Sequence, residues 1–530
     1  MHHPARSAQI DDLAPAWWTR IGGYAADLLT ALTVRPEQTV LHRHDRDMTG
    51  GELVAAVTAA YHAMGRLGVG PGSVVAVLVE PNHSDMLVAR YAANLRGAAV
   101  CYLRTTNPGS NAAVLSTADR VRMLDDTGAA VLYTDEDNRG RAAALAAGAR
   151  TPVVVLAPVD RAPGTDGTPT ATPVPWDPQR LAVILFTSGS TGRPKGIRVS
   201  GRAWAGLVRR TPPTQDDDVM LLNMPLSHTA GPFVDAMITA GRSVVLREGF
   251  EAERFPGDVV RYKVTISFLG TGHVAQLADH LDRNGEAPAG AGLAGLRMLI
   301  YTGSAPGPAR LARAVRRLGP ILLQSYGTTE TGGLTLLYPR EHHDPELSAS
   351  AGQPFPHVEI SVRNAESDIE LPPGEVGEIW VRTPHVMDGY WNDPVLSARV
   401  VRDGWYATGD LGHLGENGYL YLLGRVAEVV KVQYTKVHPA TVEQEILGMD
   451  GVRDAVVYGR RDDDFVESLH CAVVLGPGSA VTTDQINAHV RAALSAAHVP
   501  QDIVVLDEIP LNRTGKPDRE LLRSRHRAER

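Results

Sequence analysis

Cysteine is nearly absent: Cys101 and Cys471 are far apart, and neither has a CxxC or CxxxH spacing around it. This excludes a disulfide framework and a cysteine-built metal site, and it makes the cytoplasm the expected compartment. Aromatic side chains are few, with 7 Phe and 7 Trp, so composition alone does not predict a strongly aromatic pocket. No apolar run is long enough to cross a bilayer; Val74 to Val79 and Leu181 to Phe186 fall far short of the roughly 20 residues a span needs. Met1 to Thr19 lacks the apolar stretch of a secretory signal. Positive charge is not in excess. Lys plus Arg number 52 against 60 Asp plus Glu, a formal charge of -8, which argues against nucleic acid or an anionic membrane as partner.

What is present is an ordinary folded chain of 530 residues, 43% hydrophobic and 21% charged, long enough for several compact units. Short β-branched runs alternate with Ala-rich segments of helical period, for example Val74 to Val79 before Leu87 to Leu95 and Ala130 to Tyr133 before Arg141 to Ala147. That rhythm predicts layered parallel α/β structure. The stretch 159–179 is dense in Pro, Thr, Gly and Asp and is expected to be a surface crossing between two sheet-containing units. A second α/β series is expected from Leu181 to about Ser325, with buried strands at Val244 to Leu246, Ile266 to Leu269 and Met298 to Tyr301. From about 352 to 423 short strands separated by Pro-Pro-Gly, Asp-Gly and Asn-Gly turns predict a small β-rich unit. The last hundred residues read as a compact α+β piece. His342 with His343, and His42 with His44, lack a third ligand at useful spacing and are expected to be solvated loop residues.

Phe186-Thr187-Ser188-Gly189-Ser190-Thr191-Gly192-Arg193-Pro194-Lys195-Gly196 follows the apolar strand Leu181 to Leu185. A strand feeding a loop of glycines and hydroxyls presents N–H and O–H donors to an anion, and Lys195 adds charge, so phosphate binding is the natural reading. It is not a Walker A loop, because Pro194 stands where the second glycine belongs.

These residues closely resemble the signature of the adenylate-forming superfamily, which includes acyl-CoA synthetases, peptide-synthetase adenylation domains and luciferases. Further segments resemble its other motifs in order: Gln324-Ser325-Tyr326-Gly327-Thr328-Thr329-Glu330, Tyr406-Ala407-Thr408-Gly409-Asp410, Gly424-Arg425, and Pro510-Leu511-Asn512-Arg513-Thr514-Gly515-Lys516. The resemblance implies a large N-terminal core (1–423) of two layered α/β subdomains plus the β-rich one, a hinge at 424–428, and a small mobile α+β C-terminal domain (429–530). It implies ATP as nucleotide and Mg2+ held by Thr187 and Glu330. Ribose is gripped by Asp410 with Arg425, and the base and acyl group lie along Gly303, Ser304, Ala305 and Pro306, with Tyr326 stacked on the base. It makes Lys516 an electrostatic clamp between carboxylate and α-phosphate. His228 aligns with the histidine beside the acid pocket, with Phe233, Asp235, Gly303, Gly327 and Gly332 as further pocket residues. Asp235 invites comparison with the aspartate that binds a substrate α-amino group, although Phe233-Val234-Asp235-Ala236 matches only in part.

The resemblance breaks in one place. Ala427 occupies the usual pivot, followed by Glu428, and the family's Val-Lys-x-x-Gly appears as Val430-Lys431-Val432-Gln433-Tyr434. Lys431 keeps the family lysine, while Tyr434 replaces a glycine beside the thiol tunnel, so adenylation is expected to survive and CoA as acceptor is in doubt. Two further readings stay open. One is the ATP-dependent diazotase, which activates nitrite for an aryl amine and needs no thiol tunnel; the other is a non-catalytic adenylate-binding protein. The expected partners are a small organic acid, or nitrite plus an amine, with CoA or a carrier protein as acceptor. The expected assembly is a monomer or homodimer.

Overall fold

A computed structural model describes residues 16–43, 46–103, 115–158, 173–188, 194–210, 215–228, 230–284, 292–303, 308–432, 435–461, 466–510 and 517–528. Its architecture follows from the two-residue period of its strands. In strand Val74–Leu78, Val74, Ala76 and Leu78 pack into one apolar cluster while Val75 and Val77 pack into another. In strand Ser243–Leu246, Val244 and Leu246 join the second of these clusters and Val245 a third. Both sheets are therefore buried on both faces, as expected for nearly continuous apolar strands. The largest cluster lies between them. Helix Ser84–Leu95, buried along its whole length, sits in that shared layer with helix Ala230–Thr239.

One sheet has six strands in the order 154–156, 131–134, 74–78, 99–102, 181–188, 194–200, all parallel except the last pair. The other has nine, with 243–246, 219–222, 266–270, 298–302 and 322–328 as its parallel centre. A five-stranded antiparallel sheet follows, formed by 359–363, 377–382, 401–402, 405–414 and 420–425. The remainder is a hairpin, Val430–Val432 with Thr435–Val437, and a three-stranded sheet covered by helices Pro439–Leu447, Thr483–Ala493 and Arg519–Ala528. The chain is thus an α/β protein with a large N-terminal domain and a small C-terminal one.

The stretch 159–179 does not divide the sheets. Strand Leu181–Ser188 pairs in parallel with Ala99–Tyr102, so both sides of the crossing belong to one sheet. Composition does not reveal which edge of a sheet the chain returns to. His342 is also not a solvated loop residue. It is buried, between the Tyr301 hydroxyl at 3.0 Å and the Tyr338 carbonyl at 2.9 Å.

Candidate active site

The parallel strands of both sheets run with their carboxyl ends toward one large cleft of about 2440 Å³, the edge where α/β sheets receive ligands. Thr187, Gly303, the stretch Gln324 to Glu330, and Gly332 line it, as do Asp410 and Arg425 from the five-stranded sheet. The C-terminal domain contributes Ile509 and Pro517 to Arg519. Lys516 lies outside the described residues, as do Gly189, Ser190, Thr191, Gly192, Ser304, Ala305, Pro306 and Tyr434. Of Ser188 only the backbone is described, opposite Pro194 in the ladder.

At one end, Asp410 and Arg425 are partners in an antiparallel ladder. This register brings Arg425 Nε to 2.7 Å from Asp410 Oδ1, and the Tyr326 hydroxyl donates to Oδ2 at 2.7 Å. The Asp410 amide donates to Thr408 Oγ1 at 3.0 Å, which fixes the turn of the carboxylate. Burial and the adjacent Asp410 charge hold the Tyr326 hydroxyl well above its ordinary pKa, so it remains a donor. A carboxylate only accepts, which suits Asp410 to hydroxyl donors.

Lys195 stands opposite Thr187 in the ladder of the phosphate-loop strands. Glu330 lies between strands 322–328 and 332–337, where close approach demands glycine. A Cβ on Gly327 would overlap the Gly332 carbonyl, and one on Gly332 would overlap Leu207 at a backbone φ of +68°. The Glu330 carboxylate accepts from the Tyr390 hydroxyl at 3.0 Å and its carbonyl accepts from the Met387 amide at 2.7 Å. Tyr390 was not singled out from the sequence. Its segment is irregular, and its position comes from non-local pairing: Arg198 N to Gly389 O at 3.0 Å and Trp391 N to Gly196 O at 2.7 Å zip it to the phosphate-loop strand.

Thr187 and Glu330 offer hard oxygen donors, and among the described residues no group of three His, Cys, Asp or Glu could form a cage. One carboxylate and one hydroxyl suit Mg2+, which is bound through few protein oxygens together with nucleotide phosphates. They would hold the ion here.

Beyond them the cleft becomes an apolar chamber walled by Met224, Pro232, Phe233, Phe268, Ile300 and Leu323, with Phe233 and Phe268 5.2 Å apart between ring centroids. His228 lines this cavity, with its Nδ1 2.9 Å from Ser227 Oγ. Burial lowers it to about 4, so at neutral pH it is an uncharged hydrogen-bonding group. His273, also lowered to about 4 by burial, stacks on Phe250 and was not anticipated.

Two expected site residues are elsewhere. Asp235 is fully buried and absent from the cleft wall, because its carboxylate is occupied by Arg90, by the Tyr91 hydroxyl at 2.5 Å and by Trp204 Nε1 at 2.8 Å. It joins helices in the shared layer and is not available to a substrate amine. Lys431 is exposed on the C-terminal hairpin, its amide bound to Glu467 Oε2 at 2.7 Å, and it does not line the cleft.

The model of the AMP-binding enzyme family matches residues 29–391, and that of the AMP-binding enzyme C-terminal domain matches 441–516. A feruloyl-CoA synthase from Amycolatopsis sp is 30% identical over 91% of this chain and 94% of its own length. The structure of an amide bond synthetase from Marinactinospora thermotolerans superposes with a TM-score of 0.83 at 30% identity, covering 95% of this chain and 99% of that one. An o-succinylbenzoate CoA synthetase from Bacillus subtilis, solved with ATP and magnesium, gives 0.79 at 25% identity, covering 94% and 98%. The described residues of the ordered motifs meet in one cleft and the family model spans most of the sequence, so this chain belongs to the AMP-binding enzyme family and is an adenylate-forming, AMP-producing ligase.

Proposed function

We propose that the protein activates a compact, largely apolar organic acid as its acyl-AMP and passes the acyl group to a nucleophile. One observation carries this reading: a polar end with Asp410, Arg425 and Tyr326 and an apolar chamber open into the same cleft, and Thr187 and Glu330 line it too. The ribose hydroxyls donate to Asp410, and Arg425 and Tyr326 hold that carboxylate in place. The substrate carboxylate oxygen attacks the α-phosphorus, a new P–O bond forms, the bond to the β-phosphate bridging oxygen breaks and pyrophosphate departs. Mg2+, when bound, neutralises phosphate oxygens. Lys195 and Lys516 add positive charge where negative charge gathers, and neutral His228 orients the acid without forming an ion pair with it.

The relatives' names include a thioester-forming enzyme and an amide-forming one, so the acceptor is a thiol or an amine. Tyr434 in place of the family glycine favours the amine. The test is acid-dependent pyrophosphate exchange and AMP release with ATP and Mg2+, with products identified by mass in the presence of CoA, an amine, or nitrite plus an aryl amine. An acyl-amide or thioester product is expected. Nitrite-dependent AMP release without a carboxylic acid would overturn the reading in favour of diazotisation. Lys516→Ala is expected to lower exchange by about two to three orders of magnitude while ATP binding persists, because one preorganised charge is worth about 3 to 4 kcal/mol in the transition state. Exchange that persists in Lys516→Ala would remove the clamp from the mechanism.

A further inference from the structure

The wall of the cleft contains a cation that the activation chemistry does not use. Arg210, at the carboxyl end of helix Gly201–Arg209, lines the cleft with Leu207, Gly333 and Phe355. Its guanidinium lies 4.1 Å from the Phe355 ring centroid, and Nη2 donates to the Gly333 carbonyl at 3.0 Å. Nε and Nη1 are buried without a hydrogen-bond partner among the described residues. No described carboxylate forms an ion pair with it. Its charged neighbours are of the same sign or neutral: His357 and His385, both kept below their ordinary range by burial and by Arg210.

Three arginines that have carboxylate partners provide the contrast. In Arg90, Arg425 and Arg519, burial lowers the pKa but the carboxylates of Asp235, Asp410 and Glu443 more than reverse the effect. In Arg210 burial acts alone and brings the guanidinium down to about 10, so it still carries its charge at neutral pH. A part-buried charge without an ion-pair partner among the described residues is costly unless something that enters the cleft neutralises it.

We infer that Arg210 is a specificity-determining residue that binds a second carboxylate on the activated acid, which makes the substrate class a dicarboxylic acid. This rests on the reading of the cleft given above. Arginine suits the role because its planar fork meets a carboxylate with two donors.

The test compares kcat/KM for acid-dependent pyrophosphate exchange in two matched pairs, terephthalate against benzoate and suberate against octanoate. Wild type is expected to favour the dicarboxylate at least tenfold in one pair. Arg210→Met is expected to collapse that ratio at least tenfold, and Arg210→Lys to retain part of it. Arg210→Gln, which keeps a donor for Gly333, replaces Arg210→Met if the latter melts early. A purely structural role would lower both acids together and leave the ratio unchanged, and that result overturns the proposal. So does preference for the monocarboxylate in both pairs. Exchange with monocarboxylates alone would keep the acid-activating reading and remove only the second carboxylate, whereas no acid-dependent exchange at all would remove both.

Discussion

Glu330 is held at its carbonyl by the Met387 amide and at its carboxylate by Tyr390, and only the second contact can be removed without disturbing the backbone. Tyr390→Phe deletes one hydrogen bond to a charged group, an interaction worth roughly 1.5 to 3 kcal/mol. It is expected to lower kcat by about tenfold and to raise the Mg2+ concentration for half-maximal rate, measured by titrating Mg2+ at saturating ATP. An unchanged Mg2+ dependence with lower thermal stability would mean that Tyr390 only packs. The same pair of residues shows what a sequence can and cannot reveal at this scale. Glu330, Asp410, Arg425 and Tyr326 were legible because their chemistry is carried by contiguous motifs. Tyr390 was not, since its place depends on pairing with a strand nearly two hundred positions earlier. Asp235 was misassigned for a related reason: its partners Arg90 and Tyr91 lie on a distant helix, and a local match to a pocket aspartate says nothing about a carboxylate already occupied.

Among the elements, the hairpin of strands Leu322–Thr328 and Gly332–Leu337 does most to position the site, because Tyr326, Glu330 and the Gly333 anchor of Arg210 all lie on it or in its turn. Its two glycines fail differently when substituted. A Cβ on Gly332 meets the flexible end of Leu207, whereas one on Gly327 meets the Gly332 carbonyl itself. Gly332→Ala is therefore expected to destabilise by about 1 to 3 kcal/mol, with a further Leu207→Ala substitution recovering the part that comes from overlap and leaving the strain of positive φ. Gly327→Ala is expected to cost more and to gain nothing from Leu207→Ala. Thermal melts of the four variants decide it; equal rescue of both glycine variants would contradict the geometry. The strands themselves were legible from apolar runs: Ile266–Gly270 and Met298–Thr302 lie within a residue of expectation. The sheet boundary was not, because strand order depends on which edge is free and a Pro- and Gly-rich crossing carries no record of that.

At the scale of the whole molecule, burial holds eight described histidines, on different elements, below their ordinary range. Burial lowers His228 and His273 to about 4 and His385 to about 3, with Arg210 adding to the effect on His385. In the unfolded chain each titrates near 6.5. As pH falls from about 6.5 toward 4, the unfolded state takes up protons that the folded state refuses, so stability decreases with acidification, by up to about 1.4 kcal/mol per pH unit for each group. Glu378 and Glu443, raised by burial, act in the opposite sense because their folded forms accept protons first. Asp119 and Asp218, whose carboxylates lie below the ordinary range, lose their contribution only at lower pH. The histidines outnumber the two glutamates, which predicts a melting temperature that falls between pH 7.5 and 5.5. His385 isolates the cause: it does not line the cleft, and it packs where Gly206 leaves room for its ring. His385→Gln removes one proton from the unfolded-state excess and is expected to flatten the decline over that window, whatever its effect on the absolute melting temperature at pH 7.5. A decline of unchanged slope would show that His385 titrates as freely in the fold as it does in the unfolded chain, and that its burial beside Arg210 exerts no such effect.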